Sequence, residues 1–294
     1  MAIREAEAVA RRATLREAYA WCARYAAAHQ ENFTVISWVL PRGLRPHFAS
    51  LYSFCRWTDD LGDEADGDRL ALLDDFERDL LRCYEGIRTS QLFQALGHTI
   101  DRFHIPPEPF QKLIEANRMD QRITSFATYA DLLEYCRHSA TPVGRMVLYV
   151  LGYRDEERQR LSDATCTGLQ LANFWQDVKI DRGKGRCYIP EEDLERFGVA
   201  PDVLAGDTAT PAFRRLLHFE VERARALFAQ GKGLERIVDR RSRADVRLFR
   251  LGGEAILDVI SARHYDVLSS RPTIPKQKKA RMALSAGLRM KLGF

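Results

Sequence analysis

The sequence has no long apolar run. None of its uninterrupted apolar stretches exceeds that of Met146 to Leu151, against the roughly 18 residues a membrane-spanning helix needs. It has no CxxC pair and no histidine at zinc-finger spacing. The six cysteines, Cys22, Cys55, Cys83, Cys136, Cys166 and Cys187, are scattered, which excludes a zinc finger and a disulfide framework. They read as buried free thiols in a reducing cytoplasm, and the opening Met1 to Glu5 carries no apolar signal core. HExxH, GxSxG and GxGxxG are all missing, so no NADPH site is evident. Acids are missing from Arg271 to Phe294, where seven Lys or Arg stand. Residues 1–270 then hold 38 basic against 41 acidic side chains, so the net charge of +4 belongs to the tail. The body offers no face for nucleic acid.

What is present is helical. With 46% hydrophobic and 29% charged residues, the chain can close one sizeable core. Arg4 to Gln30 is rich in Ala, Arg and Glu, all strong helix formers. Arg45 to Leu61 places Phe48, Leu51, Tyr52 and Cys55 at helical spacing. Arg69–Tyr84, Glu108–Arg118, Tyr129–His138, Asp155–Ile180, Ala212–Gln230 and Arg243–Leu268 continue the pattern. Breakers at Pro41, Gly62, Gly67, Pro106-Pro107, Gly183-Lys184-Gly185, Gly198 and Gly231 separate them. There is no hairpin signal, internal repeat or flexible linker. The expectation is one all-α domain over 1–270 and a basic tail over 271–294.

Two acidic constellations stand out. In Asp59-Asp60-Leu61-Gly62-Asp63-Glu64, Asp59 and Asp63 share one helix face at i and i+4. Carboxylates at a helix C-terminus meet an unfavourable dipole, which bound divalent cations would offset; a solvated acidic helix end is the other reading. Over a hundred residues later, Asn173, Asp177 and Asp181 recur at i, i+4 and i+8, with Gln170 one turn earlier. These form an oxygen stripe on a helix otherwise carrying Leu169, Leu171, Phe174 and Trp175. Mg²⁺ seeks hard oxygen ligands and shares them with phosphates. Two facing helices of this kind would clamp Mg²⁺ ions around a diphosphate and stabilise its departure. Arg56 lies beside the first cluster; Lys184, Arg186 and Tyr188 follow the second. Gly183-Lys184-Gly185 is not a P-loop and also reads as a helix-ending loop.

At these residues the sequence resembles the squalene/phytoene synthase family of head-to-head prenyl transferases, from about Asn32 to Leu268. Phe54-Cys55-Arg56-Trp57-Thr58-Asp59-Asp60-Leu61-Gly62-Asp63 is similar to the first aspartate-rich motif of that family. Gln170 to Asp181, followed by Arg186-Cys187-Tyr188-Ile189-Pro190, is similar to the second. The resemblance implies an all-α isoprenoid-synthase bundle around a central cavity, two or three Mg²⁺ ions, and an isoprenoid diphosphate substrate. It implies Asp59, Asp63, Asn173, Asp177 and Asp181 as metal ligands. It places Tyr52, Arg56, Gln170, Lys184, Arg186 and Tyr188 at the diphosphate or cavity. Asp120 matches a further acidic position, and reads equally as a surface acid.

Two departures point to one branch. Many members carry Tyr-x-x-Val-Ala-Gly on a cavity helix, where this chain has Tyr135-Cys136-Arg137-His138-Ser139-Ala140-Thr141-Pro142. Many carry Arg before the second-motif Asp, where this chain has Gln176. With Asn32-Phe33-Thr34-Val35 and Leu44-Arg45-Pro46-His47, these resemble the hydroxysqualene synthases. That branch receives presqualene diphosphate from a sister synthase, ionises it and quenches the cation with water. Tyr135, Arg137 and Ser139 are then cavity candidates. Pro142 either frees the His138 carbonyl to hold a water or simply begins a helix at Val143. The open alternatives are a condensing sibling, a terpene cyclase and a non-catalytic helical protein. The tail alternates Lys276, Lys278, Lys279, Arg281, Arg289 and Lys291 with apolar residues. It reads either as a peripheral membrane contact or as a solubilising end.

Overall fold

A computed structural model describes residues 14–29 and 40–275. Among these the chain forms twelve α-helices and one 3₁₀ turn, with no strand. The expected all-α class is what the chain adopts. Asn32–Val35 and the basic stretch from Lys276 lie outside the described residues. None of the described helices is long and apolar enough to cross a membrane. Among the described residues the chain divides into two compact units, one of those up to 121 with 142–155 and one of 122–141 with those from 156 onward.

The first unit contains α1 (Leu15–Ala28), α2 (Arg45–Asp63), α3 (Arg69–Tyr84), α4 (Gln91–Phe103), α5 (Glu108–Met119) and, from Pro142 onward, α7 (Thr141–Leu151). Local signals set the boundaries. Thr14 and Glu17 form a reciprocal capping box at the start of α1. Pro46 stands in the first turn of α2, where its missing N–H costs nothing. Helical spacing gathers Phe48, Phe54, Leu73, Phe93, Leu96, Phe110, Ile114 and Met146 into one core. Phe54 stacks on Phe76 at 5.1 Å and meets Phe110 edge-on at 5.0 Å. Each such buried ring or Leu contributes about 1.5–3 kcal/mol. Gly62 has a packing role: a Cβ there would lie 2.2 Å from Asn117 Oδ1. Its absence lets α5 approach the end of α2.

The second unit is organised around α8 (Glu156–Gly183). Against it pack α6 (Tyr129–Ser139), the 3₁₀ turn (Pro201–Ala205), α10 (Pro211–Gly231), α11 (Leu234–Ile237) and α12 (Arg240–Ala262), while α9 (Glu191–Phe197) lies on α10. Because α8 has neighbours on several sides, Leu171, Ala172, Phe174, Trp175 and Val178 are all buried. Gly253 admits the Phe228 ring, whose Cζ would sit 2.3 Å from a Cβ at that position.

The 137–142 segment resolves one sequence alternative. Helix α6 stops at Ser139 and α7 begins at Thr141, so Pro142 stands in the first turn of a new helix, slightly earlier than a start at Val143. The Arg137 carbonyl accepts a bond from Thr141 Oγ1 at 3.1 Å.

Candidate active site

In the first unit, the end of α2 separates its three aspartates by role. Asp60 pairs with Arg56 at 2.7 Å and accepts a hydrogen bond from the Tyr25 phenol. Arg56 also reaches Glu64 at 2.7 Å. Burial first, then the Asp60 bond and charge, push the Tyr25 phenol well above its usual range. Asp60 is thus a structural anchor tying α1 to α2. Asp59 and Asp63, one turn apart, are both on the exposed side. Asn117 on α5 donates to Asp59 Oδ1 at 3.4 Å, and Gln121 donates to the Gly62 carbonyl at 2.9 Å. Asp120 caps the same end of α5. Tyr52 is directed elsewhere, donating to the His29 carbonyl at 2.5 Å.

In the second unit, the oxygen stripe of α8 is present as a half-buried line. Gln170, Asn173, Asp177 and Asp181 are each partly exposed, and Asn173 and Asp177 stand between buried neighbours. The segment after α8 turns back, and Cys187 N–H donates to the Thr124 carbonyl at 2.7 Å. That return lays Tyr188 flat on Phe174, with 3.8 Å between ring centroids. Tyr135 from α6 comes within 5.9 Å of Tyr188 and 6.2 Å of Phe174, and Phe126 completes the group. A small pocket, with room of about 10 Å³, opens beside them, lined by Phe174, Val178, Asp181, Arg186, Tyr188 and Leu204 among others. Its lining combines the Phe174 and Tyr188 rings with the Asp181 carboxylate and the Arg186 guanidinium.

The structure therefore groups Tyr135, Asp181, Arg186 and Tyr188, and in the first unit Asn117 and Gln121 are bonded to the end of the first motif. Lys184 is exposed on the turn after α8. Arg137 is exposed and pairs with Glu134 at 2.5 Å. Ser139 stands one turn beyond Tyr135 on the same helix face, and its hydroxyl is buried with no hydrogen-bond partner among the described residues. Three contributors were not singled out from the sequence. Asn117 and Gln121 flank the first motif, and their i, i+4 spacing with Asp120 between them was the available signal. The third is Arg271, whose guanidinium forks onto the Asp177 carboxylate, Nη2 to Oδ2 at 2.8 Å; nothing local in the sequence pairs residues so far apart.

Each motif suits a hard cation: Asp59 and Asp63 in the first unit, and Asn173, Asp177 and Asp181 in the second, offer oxygen as the ligating atom. The Arg271 guanidinium, seated on Asp177, shows that this carboxylate takes a positive partner in the fold. Among the described residues, no three His, Cys, Asp or Glu side chains form a ready-made cage.

The family description squalene/phytoene synthase matches residues 26–278. The chain belongs to the squalene/phytoene synthase family. It is accordingly an enzyme that processes isoprenoid diphosphates, in a family whose enzymes are typically divalent-metal dependent. It is similar to the solved squalene synthase HpnC from Alicyclobacillus acidocaldarius, at 50% identity and TM-score 0.82 over 85% of this chain and 95% of that one. A dehydrosqualene synthase solved with a ligand shares 25% identity at TM-score 0.87, covering 94% of this chain and 98% of that one. The 15-cis-phytoene synthase of Synechococcus elongatus is 31% identical over 91% of each chain.

Proposed function

We propose that this enzyme is a Mg²⁺-dependent hydroxysqualene synthase that takes presqualene diphosphate to hydroxysqualene and diphosphate. The reading rests above all on its 50% identity with the HpnC enzyme, well above the 31% shared with a phytoene synthase. The departures at Gln176 and at Tyr135–Pro142 agree with it.

In this reading the substrate C–O bond breaks heterolytically and diphosphate leaves with the electron pair. Bound Mg²⁺ would supply Lewis-acid stabilisation of that departing charge. Asp59 and Asp63 from one motif, and Asn173, Asp177 and Asp181 from the other, are the residues that would hold it. Arg186 and Lys184 add positive charge for the phosphate oxygens. Tyr135, Phe174 and Tyr188 present aromatic π surface to the cation. The Ser139 hydroxyl holds the water that adds to the rearranged cation, and the proton released passes to solvent or diphosphate. The substrate is supplied by a synthase that condenses two farnesyl diphosphates. The basic tail provides a peripheral contact with the inner membrane face for a product that partitions into lipid.

The test is incubation with presqualene diphosphate and Mg²⁺, with products identified by mass. Hydroxysqualene supports the assignment, and farnesyl diphosphate alone should yield nothing. Consumption of farnesyl or geranylgeranyl diphosphate would instead establish a condensing synthase, the reading that the phytoene synthase relatives favour.

A further inference from the structure

The carboxylate of Asp177 is engaged by a residue from the far end of the described chain. Arg271 forks onto it, Nε to Oδ1 and Nη2 to Oδ2 at 2.8 Å. This planar two-point geometry is the strong form of an Arg–carboxylate contact. The neighbouring Gln176 holds the segment in place. Its side chain is 1% exposed; Nε2 donates to the Pro272 carbonyl at 2.5 Å, and Oε1 accepts from Arg271 Nη2 at 3.4 Å. Ile274, 6% exposed, seats the segment a few residues further on. One amide therefore fixes both the main chain and the guanidinium of the strap. An arginine at position 176 would have no oxygen to accept the Arg271 proton and would repel its charge.

The strap is built to be displaced. The side chains of Arg271 and Asp177 are 34% and 22% exposed, so the guanidinium reaches solvent without disturbing the core. A divalent cation and the Arg271 fork both require the Asp177 oxygens, and their like charges repel. We infer that Arg271, held by Gln176, is a positioning residue that latches Asp177 when no metal is bound and gives way to a divalent cation. The inference rests on the reading of Asp177 as a metal ligand. Its consequence is a raised threshold for loading the second motif, set by this chain's own C-terminal segment.

The experiment titrates Mn²⁺ alone into the full chain, following free Mn²⁺ by electron paramagnetic resonance. Wild type is compared with Arg271→Ala, Arg271→Lys, Gln176→Ala and Asp177→Asn, all checked for native helix content. Arg271→Ala should bind Mn²⁺ about threefold to tenfold more tightly than wild type. Arg271→Lys and Gln176→Ala should shift the same way by less, and Asp177→Asn should bind more weakly. A merely structural arginine would leave affinity unchanged or weaken it. Unchanged or weaker binding in both Arg271 variants, with Asp177→Asn weakened, overturns the latch and leaves the metal role standing. Binding by Asp177→Asn equal to wild type removes both.

Discussion

The rings of Phe174 and Tyr188 lie parallel, 6° between planes and 3.8 Å between centroids. Phe174 comes from the second motif's helix and Tyr188 from the loop after it, so this stack fixes the returning segment on α8. It also presents Tyr188 to the cavity that Asp181 and Arg186 line. Tyr188→Phe should keep the stack and most activity. Tyr188→Ala should lose both the stack and a π face for the cation, lowering kcat/KM about tenfold. Steady-state kinetics with presqualene diphosphate compare the two.

Asp59 and Asp60 should differ sharply on substitution. Asp59→Ala should cost several orders of magnitude in diphosphate release, since it removes a ligand of the transition-state charge clamp, with thermal stability nearly unchanged. Asp60→Ala should instead leave Arg56 and Tyr25 without their shared partner, costing on the order of 2 kcal/mol of stability. Diphosphate release and thermal midpoints, measured on the same preparations, separate the effects.

The helices were legible because apolar residues recur at the helical period and because caps such as Thr14-Glu17 and Thr128-Asp131 are local. The motif residues were legible because i, i+4 spacing puts carboxylates on one face. The difference between Asp59 and Asp60 was not, because the partner that claims Asp60 includes Tyr25, on another helix. Arg271 was hidden for the same reason, appearing in sequence only as one charge of a basic tail. The two readings of Pro142 depended on where Ser139 ends its helix, which the chain's letters left open.

A polar network in the first unit should govern acid stability. Tyr19 joins His47 at 2.9 Å, His98 at 2.8 Å and Thr99 at 3.0 Å, while Ser50 also meets Thr99 at 2.9 Å. Burial, then the charges of Arg102 and His98, lower the His47 pKa to about 4. The unfolded chain thus takes up the His47 proton near pH 6.5 and the folded one only near 4. Stability is complete above 6.5 and falls through that window as pH drops, by on the order of 1 kcal/mol. Urea midpoints from pH 7 to 4 should show the slope, and His47→Asn should flatten it.

The opposite slope should come from the second unit. Glu220 is fully buried on α10, bonded to Arg223 at 3.2 Å. Arg223 also pairs with Asp193 and lies over Tyr129 and Phe219 at 4.1 and 4.2 Å. Burial raises the Glu220 pKa to about 8, Asp193 adds to the rise, and Arg223 only partly opposes it. Between the ordinary value of 4.5 and 8, the folded state keeps a proton that the unfolded state has released. Stability therefore declines across that interval and levels off above it. Glu220→Gln retains the neutral form's shape and should remove the decline, making the variant more stable than wild type by on the order of a few kcal/mol at pH 8.5. Equal midpoints for the two proteins at that pH would show that Arg223 keeps Glu220 ionised after all.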